Sequence, residues 1–288
     1  MKCRLCHAES KPHFQARVLG EHDAEYRYCA PCDHVFAADP HWLAQAYSDA
    51  IVQADTDIAV RNILTALRLS AILYFAFPER GRGTYVDVAG GYGLLTRLMR
   101  DVGFDYRWSD PYAQNLFARG FEHNETTGPC DALSAVEVLE HTIDPLEFLR
   151  SNLARHQSDT ILFTTQVFAD GQPPGAREWD YYSLNTGQHI AFFSTRGLRT
   201  LGERLGLTYH GLGRIHLLTR RHLSTTRLAL AAHRALALPL TVLAARQLGS
   251  RRGRDQTELA RRFSPPAPPA ADCATPAPRT PSDPVPRA

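Results

Sequence analysis

Residues 84–100 of this 288-residue chain combine three patterns that together limit the fold. An apolar β-type run over 84–89 leads into a loop that contains Gly90, Gly91 and Gly93, and an amphipathic helical pattern follows over 94–100. A strand, a glycine-rich turn and a helix in this order predict the first crossover of a doubly wound sheet, where backbone approaches a ligand closely. Short apolar runs and helical patterns alternate on to about residue 220, which predicts an α/β fold with a parallel sheet.

The spacing of polar residues around this loop bears on the ligand. A dinucleotide fingerprint would place a third glycine where Thr96 stands. Asp110 follows a second apolar run over 104–108, so we expect it at the tip of the second strand, accepting hydrogen bonds from the ribose hydroxyls of an adenosine. A glycine-rich turn without a ligand and a solvated Asp110 are the alternatives.

The first part of the chain is dense in cysteine. Cys3 and Cys6 form one C-x2-C pair and Cys29 and Cys32 form a second. Four thiolates in two such pairs can surround one Zn²⁺ tetrahedrally, and a four-cysteine site is closed and therefore structural. The intervening residues predict a hairpin with its turn at 20–23.

Two other interpretations of the cysteines use only one pair each. Residues 3–7 match the C-x-x-C-H haem-attachment pattern, and either pair alone could be a redox dithiol. His7 and His34 are alternative zinc ligands beside the two pairs. Cys130 and Cys273 have no partner in the sequence pattern, and we expect them to be ordinary thiols.

Composition and charge exclude several classes of protein. The net charge of +2 lacks the basic excess of a protein that binds nucleic acid through its phosphates. The N-terminus has no apolar signal segment, and no uncharged apolar run reaches 18 residues, so we expect a cytoplasmic protein with reduced thiols.

Shifts in composition divide the chain. We predict a zinc-ribbon-like module over 1–48, a helical connector over 49–82, the α/β domain over 83–222, a helical segment over 223–263 and a disordered Pro/Ala-rich tail over 264–288. Pro239 predicts a kink or break in the fourth part. That Arg-rich part could lie on a membrane surface, although packing back onto the domain is the favoured interpretation.

In one family these features occur together. The run Asp87-Val88-Ala89-Gly90-Gly91-Tyr92-Gly93 resembles the D-x-G-x-G-x-G motif of class I S-adenosylmethionine-dependent methyltransferases, with Ala89 in place of the first glycine. The resemblance implies that this loop surrounds the amino-acid end of the cofactor and that Asp110 holds the ribose. Residues 131–141 resemble the fourth strand of the family and its E-x-x-E-H ending, which implies that Glu137 touches the amino end of the cofactor. The fifth strand of the family resembles residues 160–168, and its last helix resembles residues 194–205. Its closing hairpin resembles residues 208–210 together with 215–219.

A narrower resemblance concerns the acceptor. A cysteine module ahead of such a domain, with the runs 42–48 and 182–193, is similar to bacterial deoxysugar C-methyltransferases and to methyltransferases of polysaccharide clusters. It implies a small-molecule acceptor, a saccharide, nucleotide sugar or related metabolite. An NAD(P)-dependent oxidoreductase and a non-catalytic zinc-bearing scaffold with a degenerate cofactor fold remain the alternatives.

Methyl transfer requires a group that accepts the proton of the nucleophile. His189 is the first candidate base, because it follows a turn and lies beyond the fifth strand, at the edge that faces the cofactor cleft. Gln188 precedes it where the sugar enzymes commonly have an acid, and a structural histidine bonded to a loop carbonyl is the alternative. His141 is the second candidate. We expect Trp179, Tyr181 and Tyr182 to line the acceptor pocket or to belong to the core.

Overall fold

The computed structural model describes residues 1–47, 56–124 and 127–263. The chain divides into two compact units, 1–252 and 253–288. In the second unit the described residues form most of one helix. The predicted disordered tail over 264–288 lies outside the described residues, as do Ser48 of the predicted N-terminal module and residues 49–55 of the predicted connector.

Eleven strands and eight helices occur among the described residues. The strands are β1 Lys11–Val18, β2 His22–Cys29, β3 His34–Ala37, β4 Thr84–Val88, β5 Asp105–Ser109, β6 Ala132–Val136, β7 Thr160–Thr164, β8 Val167–Phe168, β9 Ala191–Ser194, β10 Thr208–Leu212 and β11 Ile215–Thr219. The helices are α1 Leu43–Ala46, α2 Ile58–Phe75, α3 Leu94–Val102, α4 Pro145–Arg155, α5 Thr195–Leu205, α6 Thr225–Ala232, α7 Arg234–Leu248 and α8 Arg252–Phe263.

The main sheet has six strands in the order β10-β11-β7-β6-β4-β5. Strands β5, β4, β6 and β7 are parallel, whereas β11 is antiparallel to both β7 and β10. An isolated parallel bridge between Trp108 and Glu122 continues the sheet beyond β5. The predicted doubly wound α/β sheet and its closing hairpin are therefore confirmed.

Burial on both faces explains why the central strands are apolar throughout. Successive side chains of β4 point to opposite faces. Val86 and Val88 pack in a core with the leucines of α4 and α5, while Tyr85 packs in a second core with α2 and α3. Parallel strands covered by helices on both faces need such continuous apolar runs.

A second sheet joins the N-terminal residues to the rest of the chain. Its strand order is β1-β2-β3-β9-β8. The antiparallel pairing of β1 with β2 confirms the predicted hairpin. Strand β3 pairs with β9, which lies in the segment between β7 and α5. The predicted fifth strand over 160–168 divides accordingly, since β7 belongs to the main sheet and β8 to the second. The chain passes from the main sheet to the second sheet between Thr164 and Val167.

The helices after β11 differ from the expectation at Pro239. The chain bends by 95° between α6 and α7, and the break falls at His233, which has extended backbone angles. Pro239 lies inside α7. The predicted break at the proline is therefore wrong, although a proline there removes one intrahelical hydrogen bond.

Helix α2 is long and apolar enough to cross a membrane by length and composition, and α6 with α7 meets the same criterion as a bent pair. About 44% of α2 is buried within the protein, where it packs against α3, α6 and α7. Core helices of soluble proteins meet this criterion as well, so it does not establish a membrane span.

We expect Gly197→Val to destabilise the protein by at least about 2 kcal/mol. Gly197 lies in the first turn of α5, and a β carbon there would approach the carbonyl oxygens of Cys32 and Asp33 to 3.1 Å, so a valine must push the helix off the second cysteine pair. The measurement is urea denaturation monitored by circular dichroism. Gly253→Val is the matched control in α8, where a β carbon meets nothing within 4 Å. Equal midpoints for the two variants would contradict this packing.

Candidate active site

The glycine loop after β4 is held in place by its neighbours on β5. The indole N–H of Trp108 donates to the carbonyl of Gly91 at 2.9 Å, and the backbone N–H of Gly91 donates to Asp110 Oδ2 at 2.9 Å. Gly93 begins α3 with φ +82°, and a β carbon there would lie 2.7 Å from Asn115 Oδ1. Glycine is therefore required at this position by both conformation and space.

Asp110 lies at the tip of β5, as the sequence predicts. Its Oδ1 accepts hydrogen bonds from the backbone N–H groups of Tyr112 at 2.8 Å and Ala113 at 2.9 Å. Together with the bond from Gly91, three of about four lone-pair sites on the carboxylate are occupied. The free site on Oδ2 leaves room for one hydroxyl donor.

Asp87 lies beneath the loop and is 2% exposed. Its Oδ1 accepts a 2.6 Å hydrogen bond from the hydroxyl of Ser134 on β6. A β carbon at Gly90 would lie 2.9 Å from Asp87 Oδ2, so the loop passes directly over this carboxyl group. Burial raises the pKa of Asp87 to about 7, the Ser134 hydrogen bond opposes the rise, and nearby Asp110 adds to it.

Ala89 departs from the glycine that the resemblance implies, yet it keeps a left-handed conformation with φ +54°. An alanine there is strained by roughly 1 kcal/mol relative to glycine. Ala89 therefore holds a backbone conformation that glycine adopts more readily.

A group of acids surrounds Tyr181 at the end of β6. The hydroxyl of Tyr181 lies 2.5 Å from Glu140 Oε1, 3.5 Å from Glu137 Oε2 and 3.2 Å from the hydroxyl of Thr165. Glu140 is fully buried, and burial together with the charge of Glu137 raises its pKa to about 8. At neutral pH this carboxyl group therefore retains a proton in most molecules.

The two candidate catalytic histidines meet beside this group. The rings of His141 and His189 stand edge to face with centroids 4.7 Å apart, and the ring of His189 lies 4.6 Å from that of Tyr181. Burial lowers the pKa of both histidines, that of His141 to about 3 with a contribution from His189. Both imidazoles are therefore neutral near pH 7, as a proton acceptor must be.

Backbone carbonyls fix the orientation of both rings. His189 Nδ1 lies 2.6 Å from the carbonyl oxygen of Tyr181, so Nδ1 carries the proton and Nε2 has the free lone pair. His141 Nδ1 lies 3.2 Å from the carbonyl oxygen of Gln188 and 2.9 Å from the hydroxyl of Tyr47. Sequence reasoning missed Tyr47, since no pattern connects it with His141 ninety-four residues away.

N-terminal residues hold the segment that carries His189. The indole N–H of Trp42 donates to the carbonyl of Gly187 at 2.8 Å, and Gln188 Nε2 donates to the carbonyl of Ala46 at 2.7 Å. In addition, the N–H of Ile190 donates to the carbonyl of Glu140 at 2.7 Å. The side chain of Gln188 therefore fixes this segment to the N-terminal residues.

An open cleft of about 610 Å³ adjoins Tyr181. Its walls combine aromatic rings with charged and amide side chains, namely Gln166, Arg177, Glu178, Trp179, Asp180, Tyr181 and Ser183. Tyr182 is 1% exposed, packs on Phe192 and donates to the carbonyl of Pro174, so it belongs to the core. Of the three aromatic residues considered from the sequence, two line the cleft.

The four N-terminal cysteines converge at one point. All four sulfur atoms lie within 4.8 Å of one another, and the pairs Cys3–Cys32 and Cys6–Cys29 are each 3.4 Å apart. Tetrahedral ligands at zinc–sulfur distances of about 2.3 Å would be about 3.8 Å apart, so small adjustments suffice. His34 Nδ1 lies 3.6 Å from Cys3 Sγ, beside the group.

The two C-x2-C turns have the same backbone geometry. The N–H of His7 donates to the carbonyl of Cys3 at 2.9 Å, and the N–H of Asp33 donates to that of Cys29 at 2.7 Å. His7 and Asp33 both have left-handed φ angles, 61° and 58°. Two matched turns that direct four thiols to one point are a donor set suited to zinc.

Comparisons with known proteins bear on this site. Residues 61–211, just over half of the chain, match the family model described as a methyltransferase domain. The sequence matches no curated protein. The α/β methyltransferase fold predicted from the sequence is confirmed, and the oxidoreductase alternative has no support.

Several solved structures are similar to the chain. The mitomycin 7-O-methyltransferase is 19% identical with a TM-score of 0.42, over 62% of this chain and 59% of that chain. An O-methyltransferase family protein from Burkholderia thailandensis is 15% identical with a TM-score of 0.43, over 62% and 61%. Magnesium protoporphyrin IX methyltransferase from Synechocystis PCC 6803, with bound S-adenosylhomocysteine, is 15% identical with a TM-score of 0.39, over 63% and 94%. The aligned part thus spans about six tenths of the first two proteins.

We expect Asp87 to stabilise the protein at low pH and to lose this contribution as pH rises from about 4 to about 7. The folded state keeps the Asp87 proton in this range while the unfolded chain loses it, so the stabilisation is complete below pH 4 and is lost through pH 7. Asp87→Asn retains an acceptor for Ser134 and should reduce the loss between pH 5 and pH 8 by up to about 3 kcal/mol.

The measurement is urea denaturation at the two pH values. Asp23→Asn, at an exposed position of β2, is the control and should keep the wild-type pH dependence. Parallel profiles for wild type and Asp87→Asn would show that the Asp87 pKa is not raised.

Proposed function

This chain belongs to the methyltransferase-domain family, and on that premise we propose that it transfers the methyl group of S-adenosylmethionine to a saccharide, a nucleotide sugar or a related small metabolite. The observation that carries the proposal is the position of two polar centres at one edge of the sheet. The glycine loop follows β4, and Glu137, Glu140 and His141 follow β6, its parallel neighbour. His189, which precedes β9, packs against His141. Ligands of open α/β sheets bind at this carboxyl edge.

The cofactor would lie against the loop between β4 and α3 and the tip of β5. The residues proposed to hold it are Asp87, Ala89, Gly90, Gly91, Gly93, Asp110 and Glu137. The fit is supported by the free lone pair on Asp110 Oδ2, which suits a ribose hydroxyl, and by the left-handed conformations of Gly91 and Gly93, which form the tight turn that such a loop needs beside a ligand. When bound, S-adenosylmethionine supplies a methyl group on a sulfonium centre, which needs no further activation.

His189 is the proposed general base. Its Nδ1 donates to the carbonyl of Tyr181, so Nε2 is free to take the proton of an acceptor hydroxyl. His141 is the second candidate, and its contacts with Tyr47 and the Gln188 carbonyl suit a role in positioning His189. Because burial lowers the pKa of both rings, His189 remains unprotonated and ready to act at neutral pH.

The saccharide part of the proposal is supported by the cleft beside Tyr181. Trp179 and Tyr181 lie 5.0 Å apart by ring centroids and offer apolar faces to a sugar ring. Arg177, Glu178 and Asp180 line the same cleft and can bond hydroxyl groups. Few purely apolar acceptors would need this combination of ring faces and charged side chains.

We also propose that Cys3, Cys6, Cys29 and Cys32 bind one structural Zn²⁺. The four donors are all cysteine sulfurs, which zinc favours, and they lie within 4.8 Å of one another. Three of the four cysteines are at most 1% exposed, so the ion would be closed to substrate. Its role would be to join the N-terminal residues to the ends of β2 and β3.

We expect His189→Gln to reduce methyl transfer by about 10²- to 10⁴-fold without loss of cofactor affinity, because the variant lacks a proton acceptor but leaves the loop intact. Transfer is measured as S-adenosylhomocysteine release with a panel of nucleotide sugars and free monosaccharides. Binding of S-adenosylhomocysteine is measured by calorimetric titration and should be micromolar, about −8 kcal/mol, for both proteins.

His222→Gln, at an exposed position after β11, is the matched control and should retain the wild-type rate. Binding of NADH in place of S-adenosylhomocysteine would overturn the reaction class. Full activity of His189→Gln would overturn the base assignment, and transfer only to acceptors without sugar would overturn the saccharide proposal.

We expect Cys29→Ser to lose one equivalent of zinc relative to the wild type, because three thiolates and a hydroxyl hold the ion less tightly. The measurement is metal analysis by mass spectrometry on protein purified without chelator, with His222→Gln as the control. An unchanged zinc content in Cys29→Ser would contradict the four-cysteine site.

A further inference from the structure

A second group of metal-binding side chains lies apart from the four-cysteine site. His123, Cys130 and His156 come from three different segments, and one ligand atom of each lies within 4.8 Å of the others. His123 follows the residue that bridges to β5, Cys130 precedes β6 by two residues, and His156 ends α4. The sequence pattern does not reveal this group, because its members are separated by seven and twenty-six residues.

Three ring nitrogens of the two histidines in this group have no hydrogen-bond partner among the described residues. Among the described residues, neither ring nitrogen of His156 has a partner, and neither does Nε2 of His123. His156 is 1% exposed and Cys130 is 4% exposed. A buried polar atom without a partner costs about 1–3 kcal/mol, so a fold that keeps two such rings together calls for an explanation.

We propose that His123, Cys130 and His156 bind a Zn²⁺ ion, distinct from the one proposed at the four cysteines. Two imidazole nitrogens and one thiolate are donors that zinc favours, whereas Mg²⁺ and Ca²⁺ favour oxygen. Three protein ligands leave the fourth tetrahedral position to water. A bound ion takes the lone pair of one nitrogen on each ring and thereby satisfies atoms that otherwise have no partner.

The geometry requires only small side-chain movements. Tetrahedral ligands at about 2.0–2.3 Å from zinc are about 3.3–3.8 Å apart, compared with the 4.8 Å limit within which these atoms lie. The rings of His123 and His156 stand edge to face with centroids 4.2 Å apart, so both can turn a nitrogen toward a common point. The backbone is tied as well, since the N–H of Cys130 donates to the carbonyl of His156 at 3.0 Å.

The proposed ion lies away from the proposed methyl-transfer site. Cys130 and His156 precede β6 and β7 and so lie by the amino ends of these strands, whereas the glycine loop follows the carboxyl end of β4. The ion would join the end of α4 to the start of β6 and to the outer edge of the sheet beside β5. Its loss would therefore not remove a group from the proposed methyl-transfer reaction.

The experiment counts zinc in the full-length chain after loading and removal of excess metal. We expect two equivalents in the wild type and in the control His222→Gln, and one in His156→Gln and in Cys130→Ser. Cys29→Ser should also hold one, so the double variant of Cys29 and His156 should hold none. Retention of two equivalents by both His156→Gln and Cys130→Ser would overturn the proposal.

A second measurement does not depend on the folding of variants. X-ray absorption at the zinc edge of the loaded wild type should show imidazole nitrogen as well as sulfur. The spectrum averages over the two sites, one with four sulfur ligands and one with two nitrogens and one sulfur. One zinc per chain with sulfur ligands alone would mean that the histidines are a packed pair without metal. Because neither readout uses methyl transfer, failure here would leave the proposed activity untouched.

Discussion

The antiparallel pairing of β3 with β9 is the interaction on which the candidate active site depends. It places N-terminal residues alongside the segment between β7 and α5, with His34 opposite Phe193 and Phe36 opposite Ala191. His189 lies two residues before β9, so the register of this pairing determines where its ring points. The N–H of Ile190 completes the arrangement by donating to the carbonyl of Glu140, which joins the second sheet to the turn after β6. The N-terminal part of the chain, which carries the four cysteines, therefore helps to position the residues of the candidate active site.

Burial then sets the protonation of the groups that this pairing brings together. Removing an imidazole from water disfavours its cationic form, and removing a carboxyl group from water disfavours its anion. His141 and His189 are consequently neutral, while Glu140 and Asp87 have raised pKa values at the same sheet edge.

Local patterns predicted much of the fold, and long-range contacts account for what they missed. The strand, loop and helix over 84–100, the hairpin of β1 and β2 and the two cysteine turns follow from spacing over fewer than thirty residues. The pairing of β3 with β9 joins residues more than 150 positions apart, and nothing in either run specifies the other. For the same reason the sequence indicated His141 and His189 separately but not their contact. The break predicted at Pro239 was wrong, because a proline near the start of a helix removes only one hydrogen bond. Packing of α7 against α2 can offset that loss.

Two residues with a strained backbone lie at the carboxyl edge of the main sheet. Ala89 and Glu137 each follow directly on a strand, β4 and β6, and each has a left-handed φ, 54° and 52°. For residues with a β carbon this conformation costs roughly 1 kcal/mol each, and it persists where the surroundings determine the backbone. Thr164 on β7 supplies part of that constraint, since its hydroxyl accepts a 2.9 Å hydrogen bond from the N–H of Glu137. Two neighbouring strands thus end in strained turns at the same edge of the main sheet, where the glycine loop and the acidic group begin.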